Sequence, residues 1–188
     1  MKSLFALVIL TLGVTFGVSA QSMGMKSDSN PMVGGAAMYK TKNIVENAVN
    51  SKDHTTLVAA VKAAGLVDTL MSVGPFTVFA PVNSAFAALP AGTVEMLLKP
   101  ENKATLTKIL TYHVVAGNMD SKAIAKAIKH GHGHAEFTTV AGGKLMAMMV
   151  GKTLVLTDEK GGKSSVTIAD VRQSNGVIHV VDTVLMPN

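Results

Sequence analysis

No cysteine occurs among the 188 residues. That absence removes thiol nucleophiles, disulfide scaffolds, cysteine-ligated zinc, iron–sulfur clusters and a lipid-modified cysteine at a mature N-terminus. Tryptophan is missing too, aromatic residues make up 4% of the chain, and Arg172 is the only arginine. Bidentate reading of base edges and stacking on bases therefore lack their usual side chains, which argues against nucleic acid as a partner. Charged residues are 15% of the chain against 48% hydrophobic, a balance that suits one globular domain and not a solvated polymer. A chain of this length buries enough apolar surface to hold a core without a disulfide or a metal. The formal net charge of +5 comes almost wholly from lysines spread along the sequence. It permits weak attraction to anionic polysaccharide, cell-wall polymer or a membrane surface.

Long apolar runs are confined to the start of the chain. Lys2, the run Leu4 to Leu12 and the ending Val18-Ser19-Ala20 read residues 1–20 as a secretory signal peptide, cut before Gln21. Gly13, Thr15 and Gly17 interrupt the stretch and leave it short for a membrane span. No second segment is long and apolar enough to cross a bilayer, so the mature form is expected without an integral membrane segment, secreted to the periplasm or the cell exterior. Residues 21–39, rich in Met, Ser and Gly and without hydrophobic period, read as a flexible or surface-lying leader. A single domain is expected over 40–188.

Within that domain the pattern is helical first and alternating later. Ile44, Val45, Ala48 and Val49 share a helical face, and a second helix is expected after Asp53 as its cap, with Gly65 as its stop. Phe76 to Ala80 reads as a buried strand ended by Pro81, after which Asn83 is expected to cap a short helix. Further helices are expected over Thr93 to Leu98, Glu101 to Leu110 and Ser121 to Lys129, the last capped by Asp120. After His134 five strands are expected, from Glu136 to Met186, with Asn175-Gly176 taking the positive backbone angles of a tight hairpin turn. Helices followed by antiparallel strands make an α+β domain.

Three segments together resemble the fasciclin family, over about Asn43 to Pro187. They are Thr77-Val78-Phe79-Ala80-Pro81-Val82-Asn83-Ser84-Ala85-Phe86, the pair Tyr112-His113 before Val114-Val115, and Asn175-Gly176-Val177-Ile178-His179-Val180-Val181-Asp182. The resemblance implies a compact β-sandwich with a wedge of short helices. It also implies a non-catalytic adhesion or binding module whose partner is a cell-envelope or extracellular polymer or a surface protein. In animal members integrin adhesion has been linked to the region of the tyrosine–histidine pair and to an aspartate–isoleucine motif. Tyr112 and His113 are thus candidate ligand-binding residues. The aspartate–isoleucine dipeptide is absent, because Val171 follows Asp170 and Thr183 follows Asp182, so integrin recognition is not carried over.

Each candidate has a plainer structural reading beside it. Tyr112 and His113 sit at a helix-to-strand junction, where rings fill a core edge and polar tips tie down backbone. His179 lies within the last apolar strand and reads as a core or edge histidine with satisfied nitrogens. His130, His132 and His134 alternate with Gly131 and Gly133. On an extended backbone they would share one face and could hold copper, nickel or zinc, the alternative being a polar connection without a ligand. Met146 and Met148 fall on one strand face and Met149 on the other, which favours core filling over a thioether metal site. No Gly-x-Ser-x-Gly elbow, His-Glu-x-x-His, phosphate loop or dinucleotide fingerprint occurs, so neither an enzyme nor a cofactor is indicated. Two function classes follow: a binding module and, as the alternative, a periplasmic metal-handling protein.

Overall fold

A computed structural model describes residues 30–188 of the chain. The expected signal peptide, its cleavage site and residues 21–29 lie outside the described residues. The elements begin with a small hairpin, β1 (Met32–Val33) and β2 (Ala36–Ala37). Three helices follow, α1 (Ile44–Ala48), α2 (Thr55–Ala64) and α3 (Val67–Met71). Then come β3 (Phe76–Pro81), α4 (Asn83–Ala87), α5 (Thr93–Leu97), α6 (Lys103–Tyr112), β4 (Val114–Ala116) and α7 (Ser121–His130). The chain closes with β5 (His134–Thr138), β6 (Lys144–Val150), β7 (Thr153–Thr157), β8 (Lys163–Gln173) and β9 (Gly176–Val181).

Several helix ends follow from local residues. Asn43 and Glu46 form a reciprocal capping box on α1, Gly65 ends α2 with φ 72°, and Asp120 Oδ1 accepts the Ala123 N–H at the start of α7. Two expected caps are corrected. Asp53 lies in a single 3-10 turn and does not cap α2, and Asn83 does not cap its own helix, whose N-cap position is Val82. Instead Asn83 Oδ1 accepts from Thr56 N–H at 3.0 Å and from the Thr55 hydroxyl at 3.2 Å, while its Nδ2 donates to the Lys52 carbonyl at 2.8 Å. The amide has the chemistry of a cap and serves α2, which packing brings beside it.

Seven strands form one sheet in the order β4-β3-β9-β8-β7-β6-β5, with β3 and β9 parallel and the other pairs antiparallel. β8 pairs with β7 through its first three residues, Lys163 to Ser165, and with β9 from Val166 to Gln173, and register shifts between Val166, Ile168 and Val171 bend it. The sheet edges then meet at a Val115–Thr139 bridge and at the Val140 N–H to Val114 carbonyl bond of 2.7 Å. The β-sandwich implied by the resemblance is therefore seen as one continuous sheet nearly closed into a barrel, with helices and strands mixed as the α+β class requires.

β3 and β9 are buried on both faces, which is why they read as unbroken apolar runs. Phe79 and Val181 point into the barrel with Tyr112, Leu145, Leu156 and Leu185. Val78, Ala80, Ile178 and Val180 point the other way, into a second core shared with Ile44, Val33 and Met38. Val33 and Met38 are 4% and 2% exposed, so the end of the expected leader is folded onto the domain. Its strands are too short to show a period, and Gly34 and Gly35, at φ 57° and 77°, make the turn. Asn47 pins it, exchanging two bonds with the Tyr39 backbone at 3.0 and 2.8 Å and meeting Gln173 Oε1.

The strand methionines also depart from expectation. Leu145 and Ala147 are the residues of β6 that fill the barrel, whereas Met146 and Met149 are exposed. The turn between β8 and β9 is Ser174-Asn175, with Gln173 opposite Gly176, and neither Asn175 nor Gly176 has positive φ. Asn175 is instead a tie point. Its Oδ1 accepts Ile44 N–H at 3.1 Å, and its Nδ2 donates to the Leu70 and Ser72 carbonyls at 2.8 and 3.0 Å. Gly176 is required for space, since a Cβ there would fall on the Phe76 carbonyl of the parallel neighbour β3.

Candidate functional site

Tyr112 ends α6 and His113 follows it, with rings edge to face at 6.5 Å. The Tyr112 hydroxyl donates to the Lys144 carbonyl at 2.5 Å and accepts from Glu159 N–H at 3.2 Å. Burial, the largest cause, pushes its pKa up to about 12, with Glu159 and Asp158 adding to the rise and the Glu159 backbone opposing it. His113 Nδ1 donates to the Ile109 carbonyl at 2.9 Å, and its Nε2 accepts from Leu185 N–H at 3.0 Å. These two bonds fix the tautomer, and burial pulls the His113 pKa down to about 4. Tyr112 is 0% and His113 3% exposed. The pair that the resemblance marks for ligand contact thus clamps the C-terminal segment and the β6 entrance against α6.

His179 is arranged in the same way on β9. Its Nε2 donates to the Met119 carbonyl at 2.9 Å, its Nδ1 accepts from Asp170 N–H at 3.4 Å, and its ring stacks on Phe79 at 5.6 Å. Burial lowers its pKa, so the neutral form is the resident one. Asp170 itself sits at φ 61°, and its carboxylate accepts from the Ser121 backbone and hydroxyl at 2.6 and 2.5 Å.

The structure does not gather His130, His132 and His134. His130 is the last residue of α7, His132 lies in a turn at φ 54°, and His134 begins β5 opposite Met148. The backbone is therefore not the extended segment that a shared face would require, and all three side chains are exposed. Among the described residues no group of three His, Asp or Glu side chains is placed to hold a metal ion. The metal-handling alternative is not carried forward.

What the same segment does present is charge. Lys122, Lys126 and Lys129 recur at helical spacing on the exposed side of α7, opposite the buried Ile124 and Ile128. At the N-terminal end of the row, Asp120 and Arg172 form a 2.8 Å ion pair, and the Ala123 N–H and Arg172 hold the Asp120 carboxyl below its usual pKa range. Sequence reading treated the lysines as spread along the chain and did not single out this row. The signal was present, since an i, i+4, i+7 recurrence against buried isoleucines is visible in the string Ser121 to His130.

One buried histidine went unremarked. His54, 3% exposed, holds Nδ1 2.9 Å from the Ser51 hydroxyl, and its ring lies beside the Ala80 carbonyl. Burial lowers its pKa, with the Ala80 carbonyl and Asp53 pulling the other way. Its ring lines a cavity between the first helices and the sheet.

The model of the fasciclin domain matches residues 52–187. The chain belongs to the fasciclin family. This fasciclin domain is similar to Protein sll1483 of Synechocystis, 45% identical over 192 residues, which cover 100% of this chain and 99% of the relative. It is also similar to the immunogenic protein MPB70 of Mycobacterium bovis, 37% identical over 145 residues, 74% of this chain and 66% of the relative. Among solved structures, a FAS1 domain pair from the insect cell adhesion molecule fasciclin I superposes with a TM-score of 0.69 at 17% identity, covering 77% of this chain and 51% of that one. That likeness shows the fold. Among the described residues no helix is long and apolar enough to cross a membrane.

Proposed function

We propose that this fasciclin domain is the non-catalytic binding module of an exported protein and that it contacts an anionic polymer of the cell envelope or matrix. The observation that carries the reading is the exposed lysine row of α7, Lys122, Lys126 and Lys129, followed directly by His130 and His132. Three cations about 6 Å apart along one helix face match the repeating charge of a uronate or phosphate polymer better than they match a compact ligand. The core titratable groups support binding over turnover, because Tyr112, His113 and His179 spend their polar atoms on internal bonds. The insect domain pair of this fold comes from a cell adhesion molecule, and adhesion is carried to this chain as part of the proposal.

Retention of the domain on alginate beads, against neutral dextran beads, tests the reading. Binding is expected to weaken between 50 and 300 mM salt, on the scale set by a Debye length of about 10 Å at 0.1 M. The triple change Lys122→Gln, Lys126→Gln and Lys129→Gln should release the domain with its melting temperature retained. Retention that ignores both salt and the triple change would reject this face as the contact surface.

A further inference from the structure

β5 and β6 form an antiparallel hairpin whose inward residues, Ala135 and Phe137 on one strand and Leu145 and Ala147 on the other, belong to the barrel core. Their alternates face outward, His134 and Glu136 on β5 and Met146 and Met148 on β6. The register sets His134 directly opposite Met148 and Glu136 opposite Met146. Where this ladder enters its turn, the Thr139 N–H bonds to the Gly143 carbonyl, which makes those two residues a hydrogen-bonded pair. By alternation His134 and Met148 are then a non-hydrogen-bonded pair, the kind in which side chains lie closer. Opposite residues hold their Cβ atoms about 4.5–5.5 Å apart and diagonal ones about 7–8 Å, within reach of long side chains. His134 thus has one thioether across from it and a second, Met146, on the diagonal. Its own place is fixed by backbone: the His134 N–H bonds to the Gly131 carbonyl, and a Cβ on Gly131 would fall on the His134 carbonyl.

We propose that His134, Met146 and Met148 form a binding site for copper(I) on the outer face of this hairpin. Two neutral thioethers and one imidazole are a soft donor set, which selects copper(I) over zinc and the harder divalent ions. The carboxylate in the same row, Glu136, is engaged by Lys144 at 2.9 Å and leaves the sulfur and nitrogen donors to define the site. Core filling, which the sequence pattern favoured for these methionines, is done by Leu145 and Ala147, so Met146 and Met148 face outward with His134. Met146 is exposed and Met148 half-buried, which leaves an ion a path from solvent. On the next strand Val155 stands opposite Met148 and is buried, so one side of the site is aliphatic and suits uncharged ligands. This is not the histidine loop acting as a unit, because His130 and His132 lie at the helix end and in the turn, and His134 enters the ladder without them. Lys122, Lys126 and Lys129 are not among the donors, so this inference and the polymer-binding reading fail independently.

The test titrates copper(I), kept reduced by ascorbate in the absence of oxygen and buffered by bicinchoninate, into the protein in its exported form. NMR of the methionine methyl groups and of the histidine rings is the second readout. Saturable binding is expected in which the Met146 and Met148 methyl signals and the His134 ring signals move together. Met146→Leu, Met148→Leu and His134→Gln should each weaken it about tenfold or more, since loss of a ligand costs at least as much as loss of the group behind one. Met149→Leu is the control, exposed on the same strand but on the alternate position, and should leave affinity unchanged. Zinc(II) at equal concentration should not displace copper(I). The proposal is overturned if the Met146 and Met148 methyl signals stay unmoved at saturation, or if folded Met148→Leu binds as tightly as the unmodified chain. Equal weakening by Met149→Leu, or displacement by zinc(II), would overturn it as well.

Discussion

His113 donates a hydrogen bond to the Ile109 carbonyl and accepts one from Leu185 N–H, so its neutral ring is fully used and a second proton would break the Leu185 bond. Its pKa is about 4 in the fold against the ordinary 6.5 of an unfolded chain. The unfolded state therefore binds more protons between those values. Stability is complete above pH 6.5 and falls as pH drops toward 4, by about 3 kcal/mol for this residue alone. His54 and His179 are shifted in the same direction, also by burial, and steepen the loss. Urea midpoints should be flat above pH 7 and fall steadily from 6.5 to 4, and the slope should diminish in His113→Asn. A midpoint constant across that range would contradict the buried neutral ring. At Asn83 the prediction concerns hydrogen bonds: Asn83→Ala removes three polar contacts at the start of α2 and should cost about 1–3 kcal/mol. Asn83→Asp keeps the acceptor, loses the donor to Lys52 and should lie between the two by chemical denaturation. The residue was recognisable as a cap, but its partner Thr56 is 27 residues away, and no local rule reveals which helix such an amide will face. His54 was invisible for the same reason, because its burial exists only once α2 closes over β3.

Among the elements, those whose burial is set by their own repeat were legible, and those that depend on a distant surface were not. β3, β9, α2 and α7 are written in their apolar spacing, and the change from helical to alternating period marks where the barrel strands begin. The period of β6 puts Met146 and Met148 on one face and Met149 on the other but cannot say which face meets the core; Leu145 and Ala147 do so. The β8–β9 turn was located through its Asn-Gly pair, yet its glycine acts by a different mechanism. A left-handed turn position tolerates Asn almost as well as Gly. Gly176 has no positive φ and lies against the Phe76 carbonyl, so any Cβ collides with backbone that cannot rotate away. Gly176→Ala, Gly176→Asn and Gly176→Val should all lower the melting temperature, each by the equivalent of about 1–3 kcal/mol or more. Retained stability in Gly176→Asn would restore the turn explanation and remove the steric one.

For the molecule as a whole, the open question of extent becomes a measurement. The family match begins at residue 52, and the period of the sequence begins near Asn43, yet the second core is completed by Val33 and Met38 from the hairpin before them. That hairpin packs on the helix-facing side of β3 and β9, and Asn47 and Gln173 join it to both α1 and β8. Fully burying an aliphatic side chain stabilises a fold by about 1.5–3 kcal/mol, an upper range because unfolded chains already bury part of their apolar surface. A chain beginning at residue 40 should therefore be less stable than one beginning at residue 30 by about 3 kcal/mol, which is several degrees in melting temperature for a domain of this size. The single changes Val33→Ala and Met38→Ala in the longer chain should each reproduce a large part of that loss, since Met38 is among the largest fully buried side chains. Equal urea midpoints for the two chains would mean that the hairpin rests on a core already complete without it. The segment through residue 39 would then be a surface-lying leader, as its composition first suggested.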